Sequence, residues 1–248
     1  MKIPKVLRFF PPILIFFMTI FLVYLCFSHS LLKLAFEEKY VTVFLLWMVL
    51  SVELILWFWG FISLMLGDPG EIKNELKMCP NMATDCVCKK CGYMKPYRTH
   101  HCSQCGVCYA KMDHHCVVLG KCVAIRNQKP FIVFLGHSII LAIFWFIATL
   151  ITVISVKFEE FPRVLIVDFF GSSSLATLVF ILFYDQIDTI LSGKTTIEIE
   201  FKYQFRGKQT KYENWRQVFG DFSMDWILPT PTPYSRCNAF MWEPIRHE

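Results

Sequence analysis

Between Cys88 and Cys122 the chain reads CKKCGYMKPYRTHHCSQCGVCYAKMDHHCVVLGKC, a stretch that holds seven of its eleven cysteines and four of its seven histidines. A fourteen-residue repeat runs through it. The unit Cys88 to His101 opens with Cys-x2-Cys and closes with His-His, and Cys102 to His115 does the same. A third unit begins at Cys116 but carries Leu119 where its second cysteine would fall. Structural zinc takes four thiolate or imidazole ligands in a closed tetrahedron. Cys88, Cys91, His101 and Cys108 supply one such set with the spacing C-x2-C-x9-H-x6-C, and a shift of fourteen gives Cys102, Cys105, His115 and Cys122. Two zinc ions would use these eight groups, leaving His100, His114 and Cys116. Cys116 stands where a further site would begin and lacks a Cys-x2-Cys partner, so its thiol is held by a metal-braced scaffold without being consumed by it. A free thiol titrates near about pH 8.5 and needs a base or a positive field to become thiolate at neutral pH. His114 is placed to take that proton and Asp113 to fix its tautomer, the arrangement of nucleophile, base and orienting group. The plainer alternative makes Cys116 and His114 substitute ligands or packing residues.

Set inside this ligand pattern, Asp113-His114-His115-Cys116 resembles the signature of the DHHC-type protein S-acyltransferases (palmitoyltransferases). The resemblance extends to Asp68-Pro69-Gly70, to Asn127 and Phe131, to Thr195-Thr196-Ile197-Glu198, and to Asn214 with Phe219-Gly220. It implies four transmembrane helices, a cytosolic two-zinc module, and transfer of a long-chain acyl group from acyl-CoA through an acyl-Cys116 thioester. It also implies that a threonine of the Thr195-Thr196-x-Glu198 motif bonds Asp113, and that coenzyme A phosphates meet a basic patch at Lys95, Arg98 and His100. The chain departs from the family where Pro-Trp-Val-Asn-Asn follows the signature, having Val117-Val118-Leu119-Gly120-Lys121 instead. In the family that tryptophan lies close to the acyl chain, so acyl preference and rate are the properties this departure touches. A divergent subgroup is the expectation.

The elements that must position these residues follow from composition. The chain is 55% hydrophobic and 18% charged, with a mean hydropathy of +0.45, too apolar for a soluble domain. Four blocks are long enough to cross a bilayer as helices: Pro12 to Leu32, Val43 to Leu66, Phe131 to Val153 and Leu165 to Tyr184. The first exceeds a signal-peptide core and has no clear cleavage site after it, so an uncleaved helix is expected. Lysine and arginine number three before the first block, ten between the second and third, and eight after the fourth, against two in each short connection. Twenty-one against four puts both termini and the cysteine-rich block in the cytosol. That compartment is reducing, which argues against a secreted disulfide framework.

The expected fold is therefore an all-α integral membrane protein: transmembrane helices in 1–66 and 131–191, a cytosolic zinc module in 67–130 that depends on metal for stability, and a cytosolic tail in 192–248. Within the module, two cations and an imidazole at Lys95, Arg98 and His100 suit a multiply phosphorylated cofactor; the alternative is a solvated charge run. Thr195, Thr196, Glu198 and Asn214 are expected to brace the site. Glu53 and His137, costly inside spans, are expected to be packing residues, Asp168 to sit near the lumenal interface, and none of the three to carry chemistry. Cys79, Cys86 and Cys237 fit neither metal set and are expected to be ordinary thiols. Expected partners are the bilayer, acyl-CoA and proteins with cysteines near the cytosolic membrane face, with no nucleic acid, and the expected location is Golgi or endoplasmic reticulum. The competing function is a membrane-anchored zinc adaptor of the same fold with weak or lost catalysis. A cross-braced module of the ubiquitin-ligase kind is disfavoured by ligand order.

Overall fold

In the computed structural model, residues 10–14, 17, 21, 24, 40–72, 84–96, 98–155, 163–202 and 210–231 are described. The expected first span falls largely outside them, as do Cys79 and Cys237. Among the described residues there are three long helices, α1 (Tyr40–Leu66), α2 (Gln128–Ser155) and α3 (Arg163–Ser192). Their segments Phe44–Leu66, Gln128–Ile151 and Ile166–Ser192 are long and apolar enough to cross a membrane. Two short helices follow, α4 (Thr196–Glu200) and α5 (Lys211–Phe219), then a 3-10 turn at Met224–Ile227.

The cysteine-rich block corrects the all-α expectation. It contains six short strands, β1 (Thr84–Val87), β2 (Met94–Pro96), β3 (His100–Cys102), β4 (Val107–Tyr109), β5 (His114–Cys116) and β6 (Lys121–Val123). They pair as three separate antiparallel hairpins, β1–β2, β3–β4 and β5–β6. The second and third hairpins repeat the same register fourteen residues apart: His101 lies opposite Cys108 as His115 lies opposite Cys122. The tips are built alike, with Gly92, Gly106 and Gly120 at φ 73°, 81° and 61°, a conformation glycine adopts without the steric cost of a Cβ. Hydrogen bonds from Gly92 N to Cys88 O and from Gly106 N to Cys102 O, both 2.8 Å, close the first two tips. The third closes from Gly120 N to Val117 O instead. Strands of three or four residues, five of the six carrying a cysteine or histidine, show no alternating apolar pattern, so the sequence carries no strand signal here.

The chain divides into two compact units. One contains Gly60–Val133 and Gln186–Glu248, the other Ile13–Trp59 and Phe134–Asp185. Each stands on its own contacts. In the second, Glu53 Oε2 and His137 Nδ1 pair at 2.8 Å and Trp57 Nε1 donates to Ser138 Oγ at 2.9 Å. Polar groups in apolar helices are thus matched to one another, as an environment without water requires. Asp168 is buried, at 5% exposure.

The first unit is held together at helix ends. Proline at position 69 cannot continue α1, and the Asp68 carboxylate accepts from Gly70 N at 2.9 Å and Glu71 N at 3.0 Å and pairs with Arg126 at 3.0 Å. Asn127, 2% exposed, joins β6 to the start of α2: its Oδ1 accepts from Ala124 N and its Nδ2 donates to Cys122 O. Lys129 near the start of α2 is fully buried and donates to Asp225 and to Thr230 Oγ1. Asn214 on α5 donates to the Leu191 carbonyl at the end of α3, one of the acceptors a helix terminus leaves without an intrahelical partner. Gly193 makes room for it, since a Cβ there would sit 2.7 Å from the Asn214 side chain.

Candidate active site and metal clusters

The hairpins bring each predicted quartet together. In both, every ligand atom lies within 4.8 Å of the others. The first joins Cys88 and Cys91, at one hairpin's tip, to His101 and Cys108, opposite each other in the middle of the next. The second joins Cys102 and Cys105 to His115 and Cys122 in the same way.

Tetrahedral zinc with sulfur at about 2.3 Å and nitrogen at about 2.0 Å requires ligand–ligand edges of roughly 3.5 to 3.8 Å. The observed separations are 3.2 Å for Cys91 Sγ to His101 Nδ1 and 3.7 Å for Cys108 Sγ to Cys91 Sγ in the first cluster. In the second they are 3.4 Å for Cys105 Sγ to His115 Nδ1 and 3.6 Å for Cys105 Sγ to Cys122 Sγ. Burial, then the neighbouring Cys88 and Cys91, push the Cys108 thiol up, the mutual repulsion that a dication relieves. The two quartets could hold zinc, and a bound ion would supply bracing between hairpins with no ligand position left open.

Cys116 belongs to neither quartet. It ends β5 and is half-buried, and the exposed Val117 and Val118 follow it at the tip. Cys116 lies two residues beyond His114 on β5, and His114 Nδ1 is 2.7 Å from Asp113 Oδ2. The His114 ring meets the edge of Phe131 at 5.5 Å. Asp113 is completely buried and is held from the other half of the chain. Thr196 N donates to its Oδ1 at 2.8 Å, while Thr196 Oγ1 at 3.0 Å and Gln186 Nε2 at 3.3 Å donate to its Oδ2. Gln186 had no signal in the sequence.

These contacts set the charge states. Burial opposes ionisation of Asp113, yet the hydrogen bonds from His114 and Thr196 hold its carboxyl below the usual carboxylate range. Burial also lowers His114, but hydrogen bonding to Asp113 and Cys116 and their charges outweigh it and push the imidazole up to about 9. His114 is thus a cation at neutral pH. A raised histidine stabilises the fold fully below its ordinary titration, with the contribution lost as pH rises through about 9. The melting-temperature gap between wild type and His114→Gln is therefore expected to be widest near pH 6 and to close toward pH 9–10. The energy involved is on the order of 2 kcal/mol, discounted for partial exposure. A gap that widens with pH would contradict this charge assignment.

The basic residues separate. Lys95 and His100 are both half-buried, and burial and then Lys95 push His100 down, away from the charged form. Arg98 departs from the expected phosphate patch. Its side chain is 1% exposed, and its guanidinium grips Glu198 through Nε to Oε1 at 2.6 Å and Nη2 to Oε2 at 2.8 Å, with Nη2 also donating to Gly193 O at 2.9 Å. Its backbone sits at φ 60°. Glu198 in turn caps α4, accepting from Thr195 N at 2.7 Å while Thr195 Oγ1 accepts from Glu198 N, a capping box. The Thr195–Glu198 motif thus has three tasks: Thr195 caps, Glu198 binds Arg98, and Thr196 holds Asp113.

A family model described as DHHC palmitoyltransferase matches residues 81–202. The protein named "Probable protein S-acyltransferase 12" of Arabidopsis thaliana is 30% identical over 209 residues, covering 71% of this chain and 69% of that protein. The chain belongs to the DHHC palmitoyltransferase family. Palmitoyltransferase ZDHHC3 of Rattus norvegicus is 29% identical over 191 residues, 68% of this chain and 64% of its own. Palmitoyltransferase ZDHHC20 of Homo sapiens is 35% identical over 163 residues, 57% and 42% respectively. The chain thus spans less than two thirds of the length of either of these two DHHC palmitoyltransferases.

Proposed function

We propose that this chain is a protein S-palmitoyltransferase that takes a long-chain acyl group from acyl-CoA onto Cys116 and passes it to cysteines of proteins at the cytosolic membrane face. The observation that carries the reading is the line Asp113, His114, Cys116, beside two metal quartets that leave Cys116 unligated. The Cys116 sulfur, as thiolate, attacks the thioester carbonyl. The carbon–sulfur bond to coenzyme A breaks, and the His114 imidazolium returns a proton to the departing thiolate. A substrate cysteine then gives its proton to His114 and attacks the acyl-Cys116 thioester, restoring the Cys116 thiolate. Asp113 keeps the imidazole oriented and compensates its charge.

Cys88, Cys91, His101 and Cys108, and Cys102, Cys105, His115 and Cys122, would hold two zinc ions, which would supply rigidity. Lys95 and His100 meet the phosphates of coenzyme A, with Lys95 as the cation; Arg98 serves Glu198 instead. Thr195, Thr196, Glu198 and Asn214 brace the site. Four spans within 1–66 and 131–191, cytosolic termini, a cytosolic module in 67–130 and tail in 192–248, and residence in Golgi or endoplasmic reticulum complete the reading. The charge asymmetry of the connecting segments supports the orientation.

Purified, zinc-loaded protein in nanodiscs given an alkyne palmitoyl-CoA analogue is expected to acquire one hydroxylamine-labile label, mapped by mass spectrometry to Cys116. Folded protein with both zincs and no label would leave the adaptor reading, which the exchange of the family's Pro-Trp for Val117-Val118 motivates.

A further inference from the structure

Among the described residues the repeat makes three hairpins and two clusters that could hold a metal. Each quartet joins the tip of one hairpin to the middle of the next, so a bound metal would hold the β1–β2 and β3–β4 tips through ligand pairs, and the β5–β6 tip carries no such pair. Leu119, at 3% exposure, stands at the position of Cys91 and Cys105. Something else must fix this tip, because a two-stranded hairpin alone is marginally stable in water.

Lys121 begins β6 directly opposite Cys116. Its Nζ donates to Gly67 O at 2.5 Å, Met65 O at 2.9 Å and Leu64 O at 3.4 Å. These carbonyls lie at the end of α1, where a helix leaves acceptors without intrahelical donors and a cation is favoured by the helix dipole. An ammonium has three donors, and all three find acceptors on this one terminus. α1 is also one of the helices apolar enough to span a bilayer.

We propose that Lys121 is a positioning residue for acyl transfer, tying the strand opposite Cys116 to the membrane-span terminus of α1 in place of a third metal. The role in acyl transfer rests on the reading of Cys116 as acyl carrier. A lysine tie has a property that a metal lacks: it anchors the hairpin through backbone oxygens and leaves the adjacent sulfur unligated.

The test uses full-length, zinc-loaded wild type, Lys121→Met and Lys121→Arg in nanodiscs, followed by zinc content, single-turnover labelling by palmitoyl-CoA and hydrogen exchange. Lys121→Met is expected to keep two zincs and a near-normal KM, and to label Cys116 about ten- to a hundredfold more slowly, the scale of a misplaced reacting group. Exchange is expected to rise over 114–123 and stay unchanged over 88–108. Lys121→Arg, which keeps charge and donors, is expected to recover most of the rate. Wild-type labelling and unchanged exchange in Lys121→Met would overturn the proposal, and so would loss of zinc from that variant, since the residue would then be supporting the Cys122 quartet. If wild type itself takes no label, the Cys116 reading fails and the positioning role with it, while exchange over 114–123 still reports whether the tie exists.

Discussion

Replacing Cys116 with serine is expected to lower covalent acylation by about a thousandfold or more, the scale seen when a nucleophile is removed from a site whose members act as a unit. The hydroxyl is nearly isosteric but does not ionise near neutral pH, so the anionic nucleophile of the proposed mechanism is lost. The structural cost should be small. Cys116 is half-buried and outside both metal quartets, and surface-like substitutions rarely shift stability by more than about 0.5 kcal/mol. The decisive combination is therefore loss of hydroxylamine-labile label at unchanged zinc content and melting temperature. Label retained on Cys116→Ser would move the acyl carrier to another cysteine and end the assignment of His114 and Asp113.

Cys105→Ala is expected to lose both metal and label, by a different route. Cys105 sits at the tip of β3–β4, away from the β5–β6 hairpin in sequence, yet it shares a quartet with His115, the residue next to Cys116. Structural zinc contributes on the order of 10–16 kcal/mol of binding free energy in small modules, comparable to the about 5–15 kcal/mol that holds a whole domain folded. The apolar groups beside this quartet, Tyr109, Met112 and Ala124, with Val107 and Ile197 packed on them, form only a small core. Withdrawing one ligand should release the second zinc, loosen β5 and β6, and raise protease sensitivity between Cys102 and Val123. Two zincs and normal acylation in Cys105→Ala would show that these four residues are not the ligand set.

Much of this was legible in the chain because it repeats. Ligand identity at fixed spacing is a local property, and the fourteen-residue period sorted eight residues into two quartets that the hairpins do gather. The spans with long apolar runs were legible for the same reason. The illegible parts are contacts with no period. Arg98 finds Glu198 a hundred residues away, Lys121 reaches back over fifty to the end of α1, and Lys129 meets Asp225. A charged residue in a polar stretch reads as solvated unless its distant partner is known, which is why Arg98 was assigned to a phosphate. The hairpins were missed because glycine turns and metal-ligand strands look like loop composition.

The origin of Asp113's partners has a consequence for biogenesis. Synthesis completes both candidate metal quartets and Cys116 by residue 122, but Gln186 and Thr196 follow only at the end of the apolar stretch Ile166–Ser192 and just after it. A ribosome-bound nascent chain halted after α2 would carry the sulfur and its imidazole without these clamps on the carboxylate. In such a chain Asp113 would lack the three hydrogen bonds from Gln186 and Thr196 that hold its carboxylate.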